Sequence, residues 1–219
     1  MGTDSVLRER FAKLDTAAVS DALDQFGLPS GVAGLPLATA AAPVIGYAVT
    51  AVMEPYTGGA AGAHILTDVV DRANDQDVLV IDNGGRLDVS TWGGILALGA
   101  VSRGVRGVLI DGACRDVEES RQLGLPVYAR GAVPATARGR LRQRSSGEPA
   151  RLLGRTVHEG DVVFHDDTGF VVVPAARVDE VLAAAEAVVA RERAIADEIR
   201  RGAPLHEAMH DARLAGVER

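Results

Sequence analysis

Apolar residues recur at helical spacing near the start of the chain, where Val19, Ala22, Leu23 and Phe26 share one face. That spacing predicts a helix over 15–26, stopped by Gly27. Apolar runs at 44–52 and 78–82 read as strands, with a helix over 65–73 between them. A helix over 95–103 closes at Gly104, and the strand 105–111 that follows is apolar enough to be buried on both faces. Asp116 opens a short helix ending at Gly124, and 126–129 is one more short strand. Strands alternating with helices predict an α/β fold with a mostly parallel central sheet. After about Gly131 the period changes to two. Alternation over 135–143, and over 161–165 and 169–173 around the turn 166–168, predicts antiparallel pairs. A long amphipathic helix spans 177–201, and Gly202 and Pro204 stop it. No linker divides the chain, so 1–219 is expected to form a single domain. Its 177–219 portion is expected to be a helical extension that packs on a neighbouring subunit.

Composition narrows the function classes. Hydrophobic residues make up 47% of the 219 and charged residues 24%, which is ordinary for a soluble globular protein. A net charge of −7 argues against nucleic acid as a partner, since phosphate binding needs a basic face. The uncharged run 27–53 is broken by Pro29, Pro36 and Pro43 and reads as a buried loop feeding a strand, with no membrane span. Cys114 is the sole cysteine, and the N-terminus lacks an apolar signal core, so a cytoplasmic location is expected. Lys13 is the only lysine among 23 basic residues, which leaves imine chemistry a single poorly placed candidate.

Several motifs invite chemistry and carry little of it. His206-Glu207-Ala208-Met209-His210 has the spacing of a zinc helix, but no third ligand follows it and a solvated helix is the plainer reading. The glycine-rich 57–64, with His64 at its end, lacks the Lys-Ser/Thr of a phosphate loop. His165-Asp166-Asp167-Thr168-Gly169 between two apolar runs is first a hairpin turn. Cys114, with no histidine near it in sequence, reads as a packed small residue.

Two stretches remain. Gly93 and Gly94 precede a helix, where free N–H groups and the helix dipole favour an anion. The second stretch, 109–116, ends a buried strand in Asp111, Arg115 and Asp116, at the carboxyl edge where α/β sheets place their crevices. Arg115 offers a fixed fork of donors, and Asp116 a hard oxygen suited to Mg²⁺ or Mn²⁺. Together they supply what is needed to bind a small 2-oxo acid by its carboxylate and carbonyl.

The block WGGILALGAVSRGVRGVLIDGACRDVEESRQLGLPVYARG (92–131) resembles the signature of the RraA-like family, which includes 4-hydroxy-4-methyl-2-oxoglutarate and 4-carboxy-4-hydroxy-2-oxoadipate aldolases. Counterparts at 19–27, 44–52, 77–82 and 159–174 extend the resemblance over nearly the whole chain. It implies a swivelling α/β/β domain assembled as a homotrimer or hexamer with sites between subunits. The implied activity is that of a divalent-metal lyase releasing pyruvate from 4-hydroxy-2-oxo acids through a metal-stabilised enolate, with oxaloacetate decarboxylation beside it. On this resemblance Arg115 contacts the substrate carbonyl and Asp116 holds the metal. The amides of Gly94, Ile95 and Leu96, introduced by Gly93, cradle the pyruvyl carboxylate. The chain departs from the pattern at Gly94, where many of these aldolases carry an acid. A glutamate from a neighbour's C-terminal helix is also implied, with Glu192 and Glu198 as unassigned candidates. The alternative that the family offers is a non-enzymatic regulator binding an RNA-degrading endonuclease; retention of Asp116 favours catalysis.

Overall fold

Alternation along one strand decides the centre of the fold. In β3 (Asp77–Trp92), Val78 and Val80 face one side of the sheet and Leu79 and Ile81 the other, and all four are fully buried. A strand apolar on both faces needs cover on both, which is the situation of parallel strands inside an α/β layer. The computed structural model describes residues 9–39, 42–58 and 64–209. Its sheet runs β1 (Leu37–Ala38), β5 (Val127–Ala132), β4 (Gly107–Cys114), β3, β2 (Val44–Pro55), β9 (Val162–His165), β10 (Phe170–Val173). The four inner strands β5, β4, β3 and β2 are mutually parallel. Antiparallel pairing confines itself to the flanks: β1 on β5, β9 on β2, β10 on β9, and a further strand, β6 (Leu141–Ser146), on the far part of β2.

One face of the sheet is covered by α2 (Thr67–Arg72) and α3 (Gly94–Ser102), whose Val69, Val70, Leu96, Ala97 and Ala100 join Leu79, Ile81 and Ile110 in one cluster. On the other, Leu152 and Val157 of the small hairpin β7 (Ala150–Leu152) and β8 (Arg155–Val157) pack with Val78, Val80, Leu109 and Phe170. A third cluster joins α1 (Thr16–Gln25) and α5 (Val178–Arg200) to β9 and β10 through Val19, Leu23, Phe164, Val181 and Leu182. The first part of the long terminal helix therefore packs on α1 of its own chain. Among the described residues no helix is long and apolar enough to cross a membrane.

The helix predicted over 15–26 is capped by Asp15, whose carboxylate accepts from Ala18 N at 2.8 Å, and Gly27 ends it at φ 65°. Two segments differ from expectation. The strand predicted over 78–82 continues to Trp92, because Gly84 and Gly85 take left-handed φ (60° and 74°) and let the chain bend while pairing with β4 resumes in shifted register. Of the alternating run 135–143 only the end is strand. Pro134 and a turn at Gly139 (φ 72°) hold back β6 until Leu141–Ser146, where it pairs with the distant β2. The glycine-rich 59–63 and His210 lie outside the described residues.

Candidate active site

Strands β3 and β4 end together. Trp92 stands in register with Cys114, and the Arg115 amide donates to the Trp92 carbonyl at 2.9 Å. Each strand then turns into a helix. Gly93, in extended backbone, caps α3; Asp116, at φ 52° and ψ 42°, caps α4 (Val117–Gln122). Aspartate is among the few residues that tolerate the left-handed region. Two helix starts thus lie side by side at the carboxyl ends of adjacent parallel strands, where open α/β sheets bind their ligands.

The carboxylate of Asp116 joins them. Its Oδ2 accepts from the Gly94 amide at 3.0 Å and sits 3.3 Å from Arg115 Nε. A Cβ at position 93 would lie 2.7 Å from that same oxygen and 3.1 Å from Arg115 Nε, so only glycine admits this approach. The side chains of Arg115 and Asp116 remain 41% and 34% exposed. An ion pair so open to water contributes about 0–1 kcal/mol to stability, which makes folding a weak reason for its presence.

Not all of the expected anion cradle is free. The Gly94 amide is engaged by Asp116, whereas the Ile95 and Leu96 amides have no hydrogen-bond partner among the described residues. A helix start with two unengaged donors beside a guanidinium suits a carboxylate. Asp116 Oδ1, likewise, takes part in no hydrogen bond or ion pair among the described residues. It is a hard oxygen available to a divalent cation, so the residues present fit one. No three His, Cys, Asp or Glu side chains among the described residues converge to hold a metal unaided.

The other acid of 109–116 has a different role. Asp111, 6% exposed, pairs with Arg130 of β5 and accepts from Leu153 N at 3.2 Å, tying the hairpin β7–β8 to the sheet. Cys114 is 1% exposed, and burial pushes its thiol up to about 11, which removes it as a nucleophile. Lys13 is exposed near α1. His64 is exposed, with its Nδ1 3.1 Å from the neighbouring Ile65 carbonyl, and His206 is open to solvent. Asp166 accepts from Thr16 N and Oγ1 and from the amides of Thr168 and Gly169, so the expected hairpin turn is knotted to α1. Sequence reasoning passed over Glu119, whose carboxylate reaches Gly94. The signal was present in its spacing, three residues beyond Asp116 at a helix start.

The family described as RraA-like, Aldolase/RraA, matches residues 16–172. The chain belongs to this family. Protein DlpA of Legionella pneumophila is 30% identical over 205 residues, covering 94% of this chain but 33% of that protein. A 4-hydroxy-4-methyl-2-oxoglutarate aldolase of Thermus thermophilus is 31% identical over 113 residues, 50% of this chain and 66% of that one. The chain spans less than two thirds of the length of several curated relatives that it matches. Among solved structures, Streptomyces coelicolor RraAS2, described as an unusual member of the RNase ES inhibitor RraA protein family, superimposes with a TM-score of 0.76. It is 25% identical, with 88% of this chain and 95% of that one covered. The α/β architecture with a central, mostly parallel sheet is therefore that of RraA-family folds.

Proposed function

We propose that this chain is a divalent-metal-dependent lyase that cleaves 4-hydroxy-2-oxo acids to pyruvate and decarboxylates oxaloacetate at the same site. One observation carries the reading: Arg115 and Asp116 are held together against the start of α3, beside two unengaged amides. The aldolase name borne by the Thermus relative supports it.

The geometry supports the following roles. The amides of Ile95 and Leu96 receive the substrate carboxylate, and the Arg115 guanidinium meets the adjacent 2-oxo oxygen. Asp116 would hold Mg²⁺ or Mn²⁺ through its unengaged oxygen, and a cation bound there would supply Lewis-acid chemistry. Cleavage breaks the C3–C4 bond. Its electron pair becomes the C2–C3 double bond of an enolate, while the C4 hydroxyl gives up its proton to water and becomes a carbonyl. Arg115 stabilises the negative charge that grows on the C2 oxygen, and protonation at C3 gives pyruvate. With oxaloacetate the C3–C4 bond breaks as carbon dioxide leaves, and its electron pair stays behind as the same enolate double bond. No imine is required, in keeping with an exposed Lys13 as the only lysine.

A homotrimer or hexamer suits this surface. Ile95 (85% exposed), Leu98 and Val101 form an apolar row along α3 that water alone would cover poorly. The likeness to RraAS2 favours a second reading, a regulator that binds an endonuclease without turnover. A lactate-dehydrogenase-coupled assay decides between them. Pyruvate release from a 4-hydroxy-2-oxo acid or oxaloacetate should require Mg²⁺ or Mn²⁺, stop in EDTA, and be abolished by Asp116→Asn with the fold intact. Unchanged turnover in that variant would refute the role of Asp116, and absence of turnover with every oxo acid would leave the regulator.

A further inference from the structure

The stretch 138–155 is basic in a chain that is acidic as a whole. It holds Arg138, Arg140, Arg142, Arg144, Arg151 and Arg155 against one acid, Glu148, although the chain has 30 acidic residues to 23 basic ones. Its middle forms β6, which pairs with β2 along one edge; among the described residues no strand pairs with the other. The Tyr56 amide donates to the Arg140 carbonyl at 2.9 Å. Backbone groups of an antiparallel strand alternate in direction, so Arg140 and Arg142 turn theirs toward β2 and Gln143, between Arg142 and Arg144, turns its own outward.

The guanidinium groups here are unevenly paired. Arg142 meets Glu54 of β2. Arg138, Arg144 and Arg151 are exposed, and their guanidinium groups have no hydrogen bond or ion pair among the described residues. Exposed charges contribute little to stability even when paired, so folding is a weak reason for three unpaired ones around one open strand. An edge flanked by a single sign of charge refuses a strand of that sign, a second copy of itself included. It admits a strand of the opposite sign.

We propose that the open edge of β6 is a docking site for an extended acidic peptide segment of a partner protein. The segment adds as a strand against the Gln143 backbone, and its carboxylates meet Arg144 and, beyond the two ends of β6, Arg138 and Arg151. Arginine suits that role better than lysine, because its planar fork takes a carboxylate bidentately. None of these residues belongs to the site at Arg115 and Asp116, so the inference stands apart from the catalytic reading.

Fluorescence anisotropy with the purified full chain and a short labelled peptide of alternating glutamate and valine tests this. Binding should saturate and weaken as salt is raised. Arg144→Glu, and Arg138→Glu combined with Arg151→Glu, should each weaken it by about 10-fold or more. Arg200→Glu, the same change of charge on α5, should bind as the wild type does. The same peptide with its backbone amides N-methylated keeps its charge and cannot pair as a strand; it should bind at least about 10-fold more weakly. Circular dichroism establishes that each variant is folded. No binding by the wild type, or wild-type affinity in both arginine variants, would overturn the proposal. An equal loss in Arg200→Glu would reduce the effect to net charge, and full affinity for the N-methylated peptide would remove the strand pairing; either refutes it. Tighter binding of a single-stranded oligonucleotide at the same ionic strength would overturn the acidic peptide as the occupant.

Discussion

Lowering the pH from 7 to 4 should remove stability at one identifiable place, His165. Its side chain is 2% exposed, its Nε2 accepts from the Leu35 amide at 2.9 Å, and its ring lies 4.1 Å from that of Tyr128. Burial lowers its pKa from 6.5 to about 4, against the pull of the Asp166 and Asp167 carboxylates, which favour the charged form. Protonation would also break the bond from Leu35, because the nitrogen that accepts it is the one that would take the proton.

The sign follows from where the proton is held. Between pH 6.5 and 4 the unfolded chain carries the proton on this ring and the native chain does not, so stability falls with pH. The contribution is complete above about 6.5 and is lost as pH falls through 4. A difference of about 2.5 pH units at 1.36 kcal/mol each corresponds to about 3 kcal/mol. His165→Gln keeps an acceptor for Leu35 and removes the titration. Guanidinium unfolding of both proteins at pH 7, 5.5 and 4.5 isolates the effect, since the remaining carboxylates titrate alike in each. The wild type should lose about 2–3 kcal/mol more than the variant between pH 7 and 4.5. Parallel profiles would show that the ring is free to protonate in the native state, and would refute the argument from burial.

Two further outcomes are expected. Arg115→Ala should lower kcat for pyruvate release by roughly 10²–10³, the usual cost of removing one donor to a developing oxyanion. Its melting temperature should barely move, because the pair that it breaks is half-exposed; a large thermal loss with kcat retained would make Arg115 structural. Gly34→Ala would place a Cβ 2.6 Å from His165 Nε2, and denaturant titration should show a loss of about 1–3 kcal/mol. Wild-type stability there would mean that the 31–35 loop yields.

How far the sequence foretold this depended on how local the cause was. The helix at Thr16–Gln25 was legible because Asp15, its apolar face and Gly27 are all local signals. The parallel centre was legible because uninterrupted apolar strands can be buried only between two layers. The extension of β3 through Asn83-Gly84-Gly85-Arg86 was not, since paired glycines in so polar a run signal a turn; only β4, in shifted register, holds it as strand. The placement of β6 failed for a related reason: alternation marks a strand without naming its partner, and the partner is β2, far away in sequence.

The site was half legible, and the two acids of Leu109-Ile110-Asp111-Gly112-Ala113-Cys114-Arg115-Asp116 show why. Both end or follow a buried strand, and nothing in residue type separates them. Asp111 falls inside the strand, so pleating turns it into the hairpin-covered face at 6% exposure, where a lone charge would be prohibitive; its pairing with Arg130 is obligatory and uses it up. Asp116 falls one residue past the strand's last neighbour, in a left-handed turn where the chain leaves the core. There a carboxylate needs only one oxygen to cap the adjacent helix, and the other is left over. Position in the pleat, which a shift of one residue would reverse, decides whether an acid is consumed by the fold or left to bind something else.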